Sequence, residues 1–586
     1  MKRIEWWHLA LLTTTGVLPA EVTFAQSLKV VYPPANHKTT SESIFIIGSA
    51  NSSGNVTING QTISRSNQGH FAPSIPLKMG KNQVTIRYGQ QTLTRNITRI
   101  SNQAKVSDIN SFATSLMFPN QNLSRLPGEL ICFTTTAPKQ SQTIVKVGNQ
   151  TIALKPQVAN ANLPANSAIL IAQNQPQSSQ VGEKVAGCTS FSQPINNLQP
   201  QWEMTLQNKT ISQRTPAQIN ILDPQKLFVV QVTADSGVAR TGASTTYSRL
   251  TPLPKGTIAT VTGEEGAWWR LDYGGWIKKS ETKVLPNNSP TTSFIRSVTS
   301  RQVNDRTEII LPVTSPVPIT IQQEDDRFTL SLHNTIAQTD TIRLDDNPVI
   351  KRLDWYQNTA TRIDYVFHFK SSQQWGYDVR YEGNSLILTF NHPPKVSNSQ
   401  DLRGVTVLLD PGHGGKESGA LGSNGYPEKS VNLVVSKLLA KQLEQRGAKV
   451  YLTRETDKFV SLGDRQKMID NLKPTVAFSI HYNALPDGGD AEKTKGISMF
   501  WYNPQSHDLA IFMQDYLVNK LNRESYGVFW NNLALTRPHT TPLVLLELGF
   551  MINPEEFEWI INPQDQEKLA LTIADGIGEW LALKSQ

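Results

Sequence analysis

The amino-acid sequence predicts a multidomain protein in which β-rich modules precede a C-terminal three-layer α/β domain with a mostly parallel sheet. Three observations lead there. Length is the first: 586 residues, at roughly 100–200 per domain, require several domains. Rhythm is the second. Short β-prone runs broken by turns fill residues 28–391, whereas from Asp401 onward strands alternate with helix-spaced apolar residues, the pattern of α/β layering. The third is a break. The apolar run Val407-Leu408-Leu409 stops at Asp410-Pro411-Gly412-His413-Gly414-Gly415, a turn that can continue neither strand nor helix. It places His413 at a strand's C-terminal end, where sites form in open α/β sheets.

Taken in order, residues 1–25 read as a secretory signal peptide. Met-Lys-Arg precedes an apolar stretch from Trp6 to Pro19, and Thr23-Phe24-Ala25 supplies small residues for cleavage after Ala25. The stretch is too short, and too broken by Thr13, Thr14 and Thr15, to span a bilayer. An exported protein, periplasmic or wall-associated with no transmembrane anchor, is expected. Cys132 and Cys188 lack the spacing of a zinc motif, and in an oxidising compartment they are expected to pair, two unpaired buried thiols being the alternative.

Residues 28–100 carry runs such as Ser43-Ile44-Phe45-Ile46-Ile47-Gly48 and the hairpin signal Asn59-Gly60, and read as a small β-sandwich with a spacer or binding role. Residues 101–226 read as a second β-rich module with the disulfide and a polar linker. Residues 227–285 hold short strands around Trp268-Trp269 and Gly275-Trp276-Ile277. Trp268 and Trp269 must face opposite sides of a strand, so one of them is expected at the surface. Residues 293–391 alternate again, with strands at Arg306–Leu311, Phe328–Leu332 and Ser385–Phe390. The net charge of +8 favours anionic partners. No dense Lys/Arg run or recognition motif supports nucleic acid; an anionic cell-wall polymer is another such partner.

In residues 401–586 strands are expected at Val405–Leu409, Val450–Leu452, Val476–Ile480, Ile497–Tyr502 and Leu543–Leu546. Helices are expected at Ser430–Gln445, Ser461–Leu472 and Ser506–Asn522, with a last one carrying Leu569, Ile573, Ile577, Trp580 and Leu581. His413 and His481 follow strands, Glu547 ends one, and Glu428 opens the first helix. Two histidines and a carboxylate with one position left for water form the ligand set of a hydrolytic zinc site, and a further carboxylate is a general-base candidate. His507 and His539 fit no ligand motif and read as surface or packing residues.

These residues carry a resemblance. Asp410–Gly415, Gly419-Ala420, Glu428-Lys429 with Asn432-Leu433, Thr453-Arg454, Asp457, Arg465, Ser479-Ile480-His481 with Asn483-Ala484, and Glu547-Leu548-Gly549-Phe550 occur in the order found in zinc-dependent N-acetylmuramoyl-L-alanine amidases. The resemblance implies zinc on His413, Glu428 and His481. It makes Glu547 the catalytic glutamate of a peptidoglycan hydrolase that cleaves between N-acetylmuramic acid and L-alanine. Glu417 stands where aspartate is usual and Tyr482 where a small residue is common. Arg454, Arg465 and Asn483 become candidates for substrate binding, with a structural ion pair the alternative for the arginines. Asp410 is a candidate to orient a ligand or, equally, to stabilise its own turn. The glycines around His413 are expected to leave room for a glycan chain. The connection from Ala484 to Gly496 is too short for the autoinhibitory helix some relatives insert.

Upstream, residues 227–285 resemble the bacterial Src-homology-3-like barrels found beside wall hydrolases, through Ala239-Arg240, Ser244, Pro254-Lys255-Gly256 and the tryptophans. Residues 293–391 resemble β-rich AMIN targeting modules by alternation alone. Two other readings stay open at this point: a wall-binding protein with a relic metal site, and a zinc peptidase acting within the stem peptide.

Overall fold

The computed structural model describes residues 27–101, 116–158, 161–163, 177–178, 183–286 and 292–585. The expected leader, 1–25, and residues 287–290 of the linker expected over Pro286–Pro290 lie outside them. No described helix is long and apolar enough to cross a membrane.

The C-terminal region is built on a six-stranded sheet. Its elements are β1 (Thr406–Pro411), α1 (Glu428–Gln445), β2 (Lys449–Leu452), α2 (Leu462–Leu472), β3 (Val476–Asn483) and β4 (Ile497–Trp501). They continue with α3 (His507–Leu521), β5 (Ser525–Trp530), β6 (Leu543–Phe550), α4 (Pro554–Ile561) and α5 (Pro563–Lys584). Strand order is β2-β1-β3-β6-β4-β5.

The expected mostly parallel sheet is mixed. β2, β1, β3 and β6 run parallel, but β4 runs antiparallel to β6, with β5 parallel to β4. The cause lies in the connection. Residues 484–496 contain no helix, so the chain re-enters the sheet at the end it left, and a parallel partner would have needed a full crossover. Helices α1, α3 and α5 bury their apolar stripes on one face, with Leu439, Leu443, Met513, Ile573 and Trp580 in the core. On the other face Ile469 of α2 packs against Leu408, Ala477 and Leu545. Ser461 caps α2 by accepting from the Asp464 amide at 3.1 Å. Asn553 and Asn562 cap α4 and α5 in the same way, each followed by proline at the first helical position. Strand β5 and helix α4 lack sequence signals. Gly527 interrupts the first, which is a half-exposed edge, and the second is only eight residues long.

Upstream, separate apolar clusters gather around Val56, Phe71 and Ile86, around Phe133 and Trp202, around Val261 and Ile277, and around Phe328 and Phe367. The second and third expected modules are joined by pairing, because Leu123–Arg125 lies beside the strand Ile258–Glu265. Cys132 and Cys188 face each other across paired strands and are disulfide-bonded. The expectation of one surface tryptophan is corrected. Trp268 is buried, and Trp269 is half-buried, edge-on to Phe228 at 5.1 Å.

The strand Arg327–His333 ends on His333, which packs on the Tyr273 ring at 4.9 Å and pairs with Thr320 at 3.2 Å. Burial, reinforced by Arg362 and opposed by Asp364, brings this imidazole down to about 4. The folded chain therefore holds it neutral. The stability so contributed is complete above the unfolded value near 6.5 and is lost as pH falls towards 4, at most about 3 kcal/mol. His333→Gln should lose less stability than the parent between pH 7 and pH 4.5 in urea unfolding; parallel losses would contradict this.

Candidate metal centre

The centre begins with a loop that cannot hold itself. After β1 the backbone turns through His413 at φ +59°, a left-handed conformation rare for a residue with a side chain. Its carbonyls at 411, 412 and 413 point inward. Two arginines meet them. Arg454 donates to Pro411 O at 2.9 Å, Gly412 O at 2.8 Å and Lys429 O at 2.7 Å, while Arg465 donates to Pro411 O at 2.8 Å and His413 O at 2.6 Å. Both are buried, at 1% and 2% exposure, and such guanidiniums need a counter-charge. Asp410 supplies it, bonded to Arg465 and accepting from Thr453 at 2.5 Å and Ser479 at 2.7 Å.

The candidate substrate role of Arg454 and Arg465 is therefore corrected. Their donors are engaged by the loop's own backbone, and Arg465 forms the structural ion pair. Asp410 likewise reaches no ligand side chain; it anchors the arginine that holds the His413 carbonyl. At the loop's outer edge Asp457 accepts from Gly415 N at 2.7 Å and from Lys429 at 2.6 Å.

Against this loop Glu428, the first residue of α1 and 2% exposed, turns its carboxylate between two imidazoles. Oε2 lies 3.2 Å from His413 Nε2, and Oε1 lies 3.1 Å from His481 Nδ1 on β3. The histidine rings stand edge to face at 4.9 Å. One donor atom from each of the three residues falls within 4.8 Å of the others. Ala420 N, Tyr482 N and Asn432 Nδ2 also donate to the carboxylate, at 2.8, 3.1 and 3.0 Å. Burial alone would raise Glu428, but the two imidazoles hold it well below the ordinary carboxylate range, so it stays ionised as a ligand must.

Packing inside the centre, more than access for a glycan, explains two of the glycines. A Cβ on Gly412 would lie 2.2 Å from the His481 ring. One on Gly419 would lie 2.3 Å from Glu428 Oε2.

Glu547 sits on β6 directly opposite His481 on β3. Its Oε2 is buried without a hydrogen-bond partner. Burial, and then the Glu428 charge, push this carboxyl well above its ordinary value. An acceptor left open beside a cluster of two imidazoles and a carboxylate fits a metal site with its water. Asn483, two residues beyond His481, is 8% exposed and leaves its Nδ2 unpaired, while its Oδ1 accepts from Ala484 N at 3.0 Å. Tyr482 points to the opposite face and is buried in the core. Glu417 closes the turn through backbone bonds with Gly414. His507 stacks on Trp501 at 4.2 Å, and His539 is stacked on Tyr377 at 4.4 Å.

A mixed α/β sheet with two histidines and a glutamate converging at its strand ends, and a free carboxylate beside them, has the layout of a mononuclear hydrolytic metal domain. The family model described as N-acetylmuramoyl-L-alanine amidase matches residues 407–579. A probable cell wall amidase LytH of Staphylococcus aureus is 32% identical over 209 residues, 35% of this chain and 67% of that protein. Its counterpart in Staphylococcus epidermidis is 33% identical over 187 residues, 32% of this chain. That match spans 61% of the S. epidermidis protein's length. The catalytic domain of CwlV, an N-acetylmuramoyl-L-alanine amidase from Bacillus (Paenibacillus) polymyxa var. colistinus, is 34% identical, covering 31% of this chain and 99% of that one at a TM-score of 0.29. AmiC2 of Nostoc punctiforme is 31% identical, covering 30% of this chain and 97% of that one at a TM-score of 0.29. Through residues 407–579 the chain belongs to the N-acetylmuramoyl-L-alanine amidase family.

Arg465→Met should leave Asp410 buried without its counter-charge, at a cost of about 3–5 kcal/mol. The same variant should bind metal more weakly, because the His413 carbonyl loses its donor. Calorimetry and metal titration test this; a variant as stable as the parent would disprove the ion pair's role.

Proposed function

We propose that residues 401–586 hydrolyse the amide between N-acetylmuramic acid and the L-alanine of peptidoglycan stem peptides. One observation carries the reading. In a chain of this family, His413, Glu428 and His481 converge, and Glu547 leaves a buried carboxylate oxygen open beside them.

The residues fit Zn2+, with His413, Glu428 and His481 as its ligands and a further coordination position free. When bound, zinc supplies Lewis acidity to the scissile carbonyl and lowers the pKa of water toward about 7. The chain does the rest. Glu547 accepts a proton from the attacking water and returns it to the departing alanine amine. Burial, and then the Glu428 charge, raise its proton affinity, which favours its taking up the water's proton. Asn483 offers its unpaired Nδ2 to a substrate carbonyl. Arg454 and Arg465 act at one remove, by holding the backbone that presents His413. We assign residues 1–25 to export. The β-rich residues 101–391 are assigned to wall attachment, as a further β-module, a Src-homology-3-like barrel and an AMIN-like module, acting on peptidoglycan and its anionic polymers.

Mass spectrometry of digested wall should find intact stem peptides beginning with L-alanine; trimmed stems would refute the amidase and favour a peptidase. Glu547→Gln should lower turnover by about 100-fold or more with zinc content unchanged, and an active variant would sink its assignment. His413→Ala should lose the metal itself, so stoichiometric zinc in that variant would count against the ligand set.

A further inference from the structure

The run Ile44-Phe45-Ile46-Ile47 is apolar at consecutive positions, a pattern for strand buried on both faces. Its two faces go to different places. Ile44 and Ile46 enter the core of residues 28–100. Phe45 and Ile47, with Ala72, enter a second cluster completed by Leu485, Phe550 and Ile552 of the C-terminal domain. Phe45, Ile47 and Phe550 are 3%, 2% and 0% exposed. Apart, the two surfaces would expose a contiguous apolar patch on each side, which soluble domains avoid. A hydrophobic contact of this kind fixes domains, where a polar one would let them move.

Polar contacts surround the cluster. His37 Nε2 lies 2.9 Å from Asp487 Oδ2, and the Tyr32 hydroxyl donates to Asp487 Oδ1. Ser74 donates to Gly489 O at 3.2 Å, and Lys29 to Asn424 O at 2.7 Å. The targets share one property. Asn424 lies between His413 and Glu428, Asp487 and Gly489 follow His481, and Phe550 follows Glu547. The Asn483 carbonyl itself accepts from Met551 N at 3.1 Å, beside the clustered Phe550 and Ile552.

We propose that residues 28–100 are a permanent brace of the catalytic domain, which grips the three segments running on from His413, His481 and Glu547 and thereby positions Asn483 and Glu547. In this proposal a brace takes the place of the spacer or binding role read from the sequence. Phe45, Ile47 and Asp487 are positioning residues. The inference rests on the amidase reading for its activity readout only.

The test uses the full chain with Phe45→Ser and Ile47→Ser together, which leaves Ile44 and Ile46 in the module's own core. Zinc stoichiometry should hold, while kcat on a soluble disaccharide–stem-peptide fragment falls about 10-fold or more, since small misplacements are costly at this range. Amide exchange should quicken across 485–495 and 548–552. A wall-attachment module would instead lower activity on intact wall alone, and undiminished kcat on the soluble fragment would overturn the proposal. Should the double variant fail to fold, Asp487→Asn replaces it, with a smaller loss of kcat expected, and unchanged kcat there overturns the proposal equally. If the parent releases no stem peptide the amidase reading fails. Exchange then decides the brace alone, and equal rates in parent and variant would refute it.

Discussion

The centre depends on one buried charge pair. Asp410 and Arg465 neutralise each other at 1% and 2% exposure, and with Arg454 they bind the backbone that presents His413. Each partner alone would be an unpaired charge in the interior, so the pair is retained as a unit or not at all. Its value lies in where it leaves the donors. Arginine's planar fork can serve several carbonyls at once, and here two forks serve three consecutive ones, 411 to 413. A loop with a left-handed histidine is thereby made rigid before any metal binds.

Rigidity at His413 matters because the other candidate ligands come from elements that are rigid for different reasons. Glu428 is held by its place at the start of α1, by the Ala420 amide and by Asn432 one turn further on. His481 belongs to a central strand with partners on both sides. Glu547 is its in-register neighbour. The three candidate ligands and Glu547 thus approach from four segments far apart in sequence, and their alignment is a property of the sheet.

The brace extends the same principle outward. Loops at the ends of a sheet are the least restrained parts of such a domain, and here three of them are covered by residues 28–100. The antiparallel return of β4 takes part in this, because it keeps residues 484–496 at the same end of the sheet as the metal centre, within reach of Tyr32, His37 and Ser74.

By itself the sequence singled out His413, Glu428 and His481 as candidate ligands and Glu547 as the candidate general base, because each sits in a short, distinctive run, and it determined the helices, because α1 and α5 repeat their apolar residues at helical spacing. Three matters were left to the tertiary structure. The direction of β4 depends on how a connection closes in space, which composition does not encode. The duty of Arg454 and Arg465 depends on which groups surround them, since a guanidinium near a site serves a substrate carboxylate or a backbone carbonyl equally well. The brace had a signal, the unbroken apolar run from Ile44 to Ile47, but a pattern that announces two buried faces cannot name the second partner. Only the folded chain, by bringing Leu485 and Phe550 against Phe45, supplies it.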